Sequence, residues 1–363
     1  MAIDDYERGL AARYIANVLE RDDLPLRAVR HVMHWLNERG ELLNLPVPKP
    51  LQKAVGNIYS GNFSTAEFER AYWQHRPQVL EVLREAGAKG GQPEPLFANV
   101  AMLTEGLQLD KGHANDIVAL IACYTRFEQV QYLCDCLTEC SGPMTRIMAA
   151  MCGLPTRTVE EMLSPTGELI TSGLIQLDDG DEISGPAGRY AIAQRVDASL
   201  DRQFDTFDAM RDALLGAPHV SENTLADYDH LEADRDLVAG VLTGAAQAAT
   251  PGVNILLYGA PGTGKTELTK VAAKTAGVAV YGAGEDVGAD GESDRSARLS
   301  DLVFSQRLLA GSKKAAVLFD EMEDIAWQLL RRGGSKVYLN RLLETNPVPI
   351  LWTSNNIHEI DPA

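Results

Sequence analysis

The stretch GAPGTGKT, at residues 259–266, is the feature that most constrains this chain. It follows the apolar run VNILLY and opens a segment with helical periodicity, so a strand, a glycine-rich loop and a helix are predicted in that order. Glycines allow such a loop to curl until its backbone N–H groups face a phosphate, and the helix N-terminus adds partial positive charge. A glycine-rich turn without a ligand is the competing interpretation, but strand, loop, Lys-Thr and helix all agree with phosphate binding.

The motif G-x-x-x-x-G-K-[ST] also gives a role to each polar residue at its end. Lys265 is expected to reach the β and γ phosphates of ATP, and Thr266 is expected to hold Mg²⁺. The residues predicted to contact the nucleotide are Gly259, Ala260, Pro261, Gly262, Thr263, Gly264, Lys265, Thr266 and Glu267.

Four apolar runs alternate with helical segments in the last third of the chain. Such alternation is typical of an α/β fold, in which a parallel sheet is covered by helices on both faces. Buried parallel strands are nearly continuous apolar runs, as these are. The predicted strands are 253–259, 278–283, 315–320 and 349–354.

The third of these runs, AAVLFDEMED, ends in two carboxylates. Asp320 fits the role of holding Mg²⁺, and Glu321 can polarise an attacking water as a general base. An apolar run that ends in Asp-Glu is common, but it gains weight downstream of a phosphate-binding loop. Glu323 and Asp324 are predicted to lie in the first turn of the next helix, where acids suit the helix dipole.

The fourth run, ILWTSNN, ends in Asn355. Its amide could orient a water against the γ-phosphate, because ligands in open α/β sheets bind at the carboxyl ends of strands. The alternative is an asparagine that serves a turn, and the functional interpretation is preferred because the strand follows the acidic one.

Two further segments precede this region. Residues 1–90 show helical periodicity, and a glycine- and proline-containing linker follows. Residues 96–216 contain further helices and then two short strands around an Asp- and Gly-rich turn, which is the outline of a winged helix. We therefore expect three domains, 1–90, 96–216 and 217–363, the last with the P-loop fold.

The composition of the chain disfavours several classes of partner. The net charge is −18, with 51 acidic and 33 basic residues, and such a charge disfavours non-specific DNA binding. No apolar run reaches the length of a membrane span, and the acidic N-terminus lacks the pattern of a secretory signal. The five cysteines are an odd number, which favours reduced thiols and a cytoplasmic location. Those in CDCLTEC are expected to be buried thiols rather than metal ligands.

The motifs GAPGTGKT, LFDE, KVYLNRLLE and TSN, in this order, resemble the large subdomain of an AAA-type ATPase over residues 224–363. The resemblance implies ATP and Mg²⁺ as ligands and gives Asn355 the role of sensor 1. It implies adenine contacts near Asp229 and His230. Members work as rings with ATP at subunit interfaces, so a homo-oligomeric ring is expected of the full-length protein. The region 96–216 is similar to a winged-helix domain that precedes such modules in bacteria.

The chain departs from this family in two places. Threading members carry an aromatic-hydrophobic-Gly loop after the second strand, whereas here the sequence is polar and acidic and Tyr281 is predicted to lie in the strand. The last residues, IDPA, stand where the family continues to its arginine fingers and lid. Arg331 and Arg332 do not match the finger position. The 363-residue chain is therefore expected to bind ATP weakly, to hydrolyse it slowly and to be largely monomeric.

We interpret the chain as an ATP hydrolase that remodels a protein partner. One alternative is a DNA-linked ATPase that uses the winged helix, and another is a scaffold that binds ATP with little turnover. The candidate recognition segment TRTVEEMLSPTGELI carries one Arg against three Glu, whereas DNA recognition favours cations and amides. The intact Glu321 argues against the scaffold.

The winged-helix region is predicted to have negligible affinity for duplex DNA at physiological salt, because phosphates repel its acidic candidate helix. A gel-shift titration at several salt concentrations measures this affinity. Sub-micromolar binding at physiological salt would favour the DNA-linked alternative instead.

Overall fold

The computed structural model describes residues 5–41, 43–56, 64–89, 95–109, 112–177, 189–284, 295–323 and 336–356. The chain divides into two compact units. The first comprises Met1–Thr171 and Ile175–Phe204, and the second comprises Ser172–Leu174 and Asp205–Ala363.

The described part of the first unit is helical apart from one strand pair. Its helices are α1 (Asp5–Glu20), α2 (Leu26–Arg39), α3 (Lys49–Val55), α4 (Thr65–Ala88), α5 (Pro95–Gly106), α6 (His113–Arg126), α7 (Glu128–Ser141), α8 (Met144–Cys152), α9 (Thr156–Met162), α10 (Glu168–Thr171) and α11 (Gln194–Asp197), and its strands are β1 (Ile175–Leu177) and β2 (Tyr190–Ile192).

Helix α6 forms the centre of this unit. Its residues from Ile117 to Tyr124 are all buried, and a helix that is apolar nearly all round belongs in a core. Helix α1 packs against α4, where the Tyr72 hydroxyl donates to the Leu19 carbonyl at 3.1 Å. It also packs against α8, where the Asn17 amide donates to the Met151 carbonyl at 2.7 Å.

These contacts join helices from both sides of the predicted linker. Helix α1, from the segment 1–90, packs against α7 and α8, from the segment 96–216. The structure thus groups the two segments into one compact unit, whereas α12 (Phe207–Leu215), from the end of the second segment, falls in the second unit. Apolar faces on helices from both segments bury one another, and sequence periodicity does not indicate which helix faces which.

The prediction of two short strands near residue 180 is confirmed. Strands β1 and β2 pair antiparallel, with Ile175 opposite Ile192. The turn that was predicted between them, at residues 178–188, lies outside the described residues.

The second unit is built on a parallel sheet. Its elements are α12 (Phe207–Leu215), a 3₁₀ helix (Leu225–Leu231), α13 (Glu232–Ala248), β3 (Asn254–Tyr258), α14 (Lys265–Ala276), β4 (Ala279–Gly282), α15 (Arg295–Leu308), β5 (Ala315–Phe319), α16 (Lys336–Thr345) and β6 (Ile350–Ser354). All four predicted strands are present, each a residue or two shorter than the predicted range. Tyr281 lies in β4 as expected.

The strand order in this sheet is β3-β6-β5-β4, and every pair is parallel. Strand β6 therefore lies between β3 and β5. Strands β5 and β6 are buried along their whole length, as expected for central parallel strands.

Helices α13 and α14 cover one face of the sheet. Leu242 and Ala272 from these helices pack with Val280, Leu318 and Leu351 from three strands. Helix α15 contacts β5. Among the described helices of both units, none is long and apolar enough to cross a membrane.

Truncating Leu351 to alanine should lower the free energy of unfolding of the second unit by about 2–5 kcal/mol, because the side chain is fully buried and its loss leaves a cavity. Leu237→Ala is the matched control, since Leu237 is 65% exposed and its truncation should change the free energy little. Urea unfolding of both variants measures the difference. Equal unfolding midpoints would contradict the assigned core.

Candidate nucleotide-binding site

Three strand ends meet at one edge of the sheet. Because β6 lies between β3 and β5, the residues that follow these three strands are neighbours. The Gly259 N–H donates to the Ser354 carbonyl at 3.2 Å, which ties the start of the glycine-rich loop to the end of β6. The motifs of the first, third and fourth predicted strands are therefore brought together.

The glycine-rich loop adopts the conformation that its glycines permit. Gly262 and Gly264 have φ of +75° and +82°, in the region that L side chains rarely adopt. Gly264 caps α14, which begins at Lys265. A glycine-rich loop that leads into a helix N-terminus presents backbone N–H groups and the positive end of the helix dipole to an anion.

The Lys265 ammonium is fully engaged at the base of this loop. Its Nζ donates to the carbonyls of Gly259 and Ala260, at 3.0 and 2.9 Å, and to Asn355 Oδ1 at 3.0 Å. An ammonium has three donors, so all three are used. The charge is thereby held between the loop and the end of β6.

Thr266 and Asp320 are in direct contact. The Thr266 hydroxyl donates to Asp320 Oδ2 at 3.1 Å, and Asp320 is half-buried at the end of β5. A hydroxyl and a carboxylate are the hard oxygen ligands that Mg²⁺ prefers. The donor set therefore fits the cation that the sequence predicts here.

Glu321 has an unusual backbone. Its φ is +58°, a conformation that costs a non-glycine residue about 1–3 kcal/mol and persists only where the surroundings hold it. Its N–H donates to Asp320 Oδ1 at 3.1 Å and to Thr353 Oγ1 at 3.3 Å. The Glu321 side chain is exposed, so its carboxylate is accessible to water.

Asn355 connects two parts of the site. Its Oδ1 accepts from the Lys265 ammonium, and its backbone N–H donates to Glu323 Oε1 at 3.0 Å. The second oxygen of Glu323 is buried and lacks a hydrogen-bond partner among the described residues. Glu323 was predicted to lie in the first turn of the next helix. In the structure its carboxylate accepts from the Asn355 N–H. Asp324, Arg331, Arg332 and the acidic stretch 285–294 lie outside the described residues.

Glu267 follows the loop, but its carboxylate is committed to protein groups. It accepts from Lys270 and from the Ser221 hydroxyl, each at 2.8 Å. These hydrogen bonds hold the pKa of Glu267 below its usual value, the one from Lys270 contributing most. A nucleotide contact from this residue would therefore come from its backbone.

Asp229 and His230 lie in the 3₁₀ helix and are exposed. The Asp229 carboxylate pairs with Arg235. The ring of His230 stacks on Tyr228, with centroids 6.3 Å apart. Tyr228 itself is buried among Leu268 and Val271 of α14 and approaches Gly264, so this helix lies beside the loop.

Three residues of the site did not stand out in the sequence. Tyr228 packs beside the loop, and Arg298 Nη2 donates to the Asp320 carbonyl at 2.6 Å. Thr353 donates from its hydroxyl to Asp320 Oδ1. Thr353 had a visible signal, a polar residue inside an apolar strand, whereas Arg298 is one of many basic residues on helices.

Two cysteines are buried thiols in the described part of the chain. No group of three potential ligands there is placed to hold a metal. Cys123 and Cys134 are fully buried, and the Cys134 thiol contacts the Met151 sulfur at 3.5 Å. Burial raises the pKa of Cys123 to about 12 and that of Cys134 well above its usual value.

Comparison with known proteins supports an AAA-type ATPase. Residues 255–363 match the family model of the ATPase family associated with various cellular activities (AAA). This range contains the glycine-rich loop, both carboxylates and Asn355, and the family implies nucleotide binding and ATPase activity. No curated protein sequence matches the chain.

The buried thiols should resist alkylation. At pH 8, Cys123 and Cys134 should remain unmodified by iodoacetamide in the native protein, because the reactive species is the thiolate and their pKa values are raised. The half-buried Cys136 provides the internal comparison. Peptide mapping by mass spectrometry measures each rate, with the denatured chain as control. Modification of Cys134 as fast as in the denatured chain would contradict the assigned burial.

Proposed function

We propose that this chain binds ATP with Mg²⁺ and hydrolyses it, and that hydrolysis drives a conformational change in a protein partner. The observation that carries the proposal is one hydrogen-bonded cluster at the carboxyl edge of the sheet. It joins Lys265 to Asn355, and Thr266 to Asp320. The AAA match over residues 255–363 supports the nucleotide binding and the ATPase activity in this proposal.

In this proposal the glycine-rich loop and Lys265 bind the phosphates. Anionic phosphate oxygens are stronger acceptors for an ammonium than neutral carbonyls are. Lys265 therefore exchanges the carbonyls of Gly259 and Ala260 for phosphate oxygens. The loop N–H groups and the N-terminus of α14 hold the remaining charge.

Thr266 and Asp320 hold Mg²⁺ in this proposal. The cation supplies positive charge that neutralises the charge developing on the phosphate oxygens. Glu321 then accepts a proton from the attacking water, for which its exposed carboxylate is suited. Asn355, whose Oδ1 accepts from the Lys265 ammonium, is proposed to orient that water relative to the γ-phosphate.

The partner is proposed to be a protein. The net charge of −18 disfavours nucleic acid, and the helices around the β1–β2 pair are proposed to form an acidic winged helix that contacts protein. Assembly into a homo-oligomeric ring and a cytoplasmic location are part of the same proposal.

Two substitutions separate binding from turnover. Lys265→Met should weaken ATP binding at least ~10²-fold, because it removes the cation while keeping most of the stem. Glu321→Gln should bind ATP as the wild type does and hydrolyse it at least ~10²-fold more slowly, the usual scale for a lost base. Equilibrium binding of a fluorescent ATP analogue and single-turnover phosphate release measure the two effects.

Matched controls come from exposed residues of the same type. Lys313→Met and Glu344→Gln make the same chemical changes outside the cluster and should leave both measurements unchanged. Wild-type affinity in Lys265→Met would contradict the assigned phosphate loop. Wild-type turnover in Glu321→Gln would mean that another group activates the water.

A further inference from the structure

We propose that the hydroxyl of Thr353 is a positioning group of the hydrolytic site, which sets the orientation of the Asp320 carboxylate and the backbone of Glu321. The inference rests on the proposed function, because it assigns a role relative to ATP and Mg²⁺. Thr353 touches neither the glycine-rich loop nor Lys265 through any described hydrogen bond, so it acts through its neighbours.

The local backbone explains why a side chain is needed at this point. Strand β5 ends at Phe319, and the pairing with β6 resumes when the Met322 N–H donates to the Thr353 carbonyl at 2.9 Å. Glu321 is the residue that this pairing skips, and its φ of +58° carries the chain around the gap. The skipped N–H pairs instead with side-chain oxygens of Asp320 and Thr353, at 3.1 and 3.3 Å.

Thr353 supplies one of these two acceptors from its side chain. Its Oγ1 accepts from the Glu321 N–H at 3.3 Å and donates to Asp320 Oδ1. A hydroxyl has one donor and two acceptor sites, so a single group serves both neighbours. The residue is 1% exposed, so water does not compete for this hydroxyl.

The two oxygens of the Asp320 carboxylate therefore accept from different donors. Oδ1 accepts hydrogen bonds from the Thr353 hydroxyl and from the Glu321 N–H. Oδ2 is thereby left facing the Thr266 hydroxyl, at 3.1 Å. Without the Thr353 donor the carboxylate could rotate, and the pair of oxygens proposed to hold Mg²⁺ would lose its fixed arrangement.

Packing alone does not account for a threonine here. Valine has nearly the same shape and is equally suited to a strand, whereas a buried hydroxyl is favourable only when it is hydrogen-bonded. The donor of Thr353 is used on the carboxylate proposed to hold the cation. A purely structural role predicts a change in stability alone, and a positioning role predicts a change in cation affinity and turnover.

The test compares Thr353→Val with Thr353→Ser, and with Thr243→Val as the matched control. Thr243 lies on α13 and donates only to the Ala239 carbonyl, at 2.7 Å, in the described structure. Three quantities are measured on the full chain: ADP affinity in EDTA, the Mn²⁺ concentration that half-saturates the ADP-bound protein by electron paramagnetic resonance, and single-turnover hydrolysis of ATP.

Thr353→Val should raise the half-saturating Mn²⁺ concentration about tenfold and slow hydrolysis about tenfold or more, the scale for one hydrogen bond to a charged group. ADP affinity in EDTA should stay within about twofold of the wild type, because Asp320 acts through the cation. Thr353→Ser keeps the hydroxyl and should restore both quantities. Thr243→Val should match the wild type throughout.

Wild-type Mn²⁺ affinity and turnover in Thr353→Val would overturn the inference while leaving the proposed function intact. A wild-type chain that binds no nucleotide would instead defeat the proposed function and this inference together. Thermal unfolding monitors the fold of each variant. If Thr353→Val does not fold, Thr353→Cys replaces it, and its weaker donor should give Mn²⁺ affinity and turnover below those of Thr353→Ser; equality with Thr353→Ser would overturn the inference.

Discussion

The site depends on one constraint, that β6 inserts between β3 and β5 in a parallel sheet. The carboxyl ends of neighbouring parallel strands lie at the same edge of the sheet, so the residues that follow these strands are close together. At this edge the ladder of backbone hydrogen bonds stops, and each polar group there needs a partner. In the loop after β3, the Gly259 N–H donates to the Ser354 carbonyl. After β5, the Glu321 N–H donates to the Thr353 hydroxyl. The candidate site consists of the polar groups that form hydrogen bonds with one another at this edge.

Charge is held in this cluster at short range. The Lys265 ammonium is surrounded by neutral oxygens, two from its own loop and one from Asn355. The Asp320 carboxylate accepts from three donors, the hydroxyls of Thr266 and Thr353 and the Glu321 N–H. No described contact pairs the Lys265 ammonium with the Asp320 carboxylate. Such an arrangement leaves both charges available to a ligand that carries negative oxygens and a divalent cation.

The first unit illustrates a different principle. Its helices are united by burial around α6, whose apolar surface is nearly continuous. Polar contacts at the edges, such as Asn17 to the Met151 carbonyl, then fix how these helices sit. The result joins segments that a linker rich in glycine and proline separates in the sequence. A linker marks where the chain can turn, and it does not decide whether the flanking helices pack together.

The sequence by itself determined the candidate residues of the site and the strand content of the second unit. The pattern GAPGTGKT, the carboxylates after an apolar run and the asparagine after the next could be identified because each depends on neighbours in the chain. The four strands could be predicted for the same reason, since burial on both faces requires an apolar run.

Only the tertiary structure decided which of these residues touch and what supports them. The order of strands depends on how helices cover the sheet, and no local pattern encodes it. The hydrogen bonds of Glu323 and Thr353 join the residues after β5 to β6 and to the residue that follows it, across 32 positions of the chain. The left-handed backbone of Glu321 is likewise held by a side chain on another strand. Hydrogen bonds of this kind depend on distances in space, and sequence periodicity describes only neighbours along the chain.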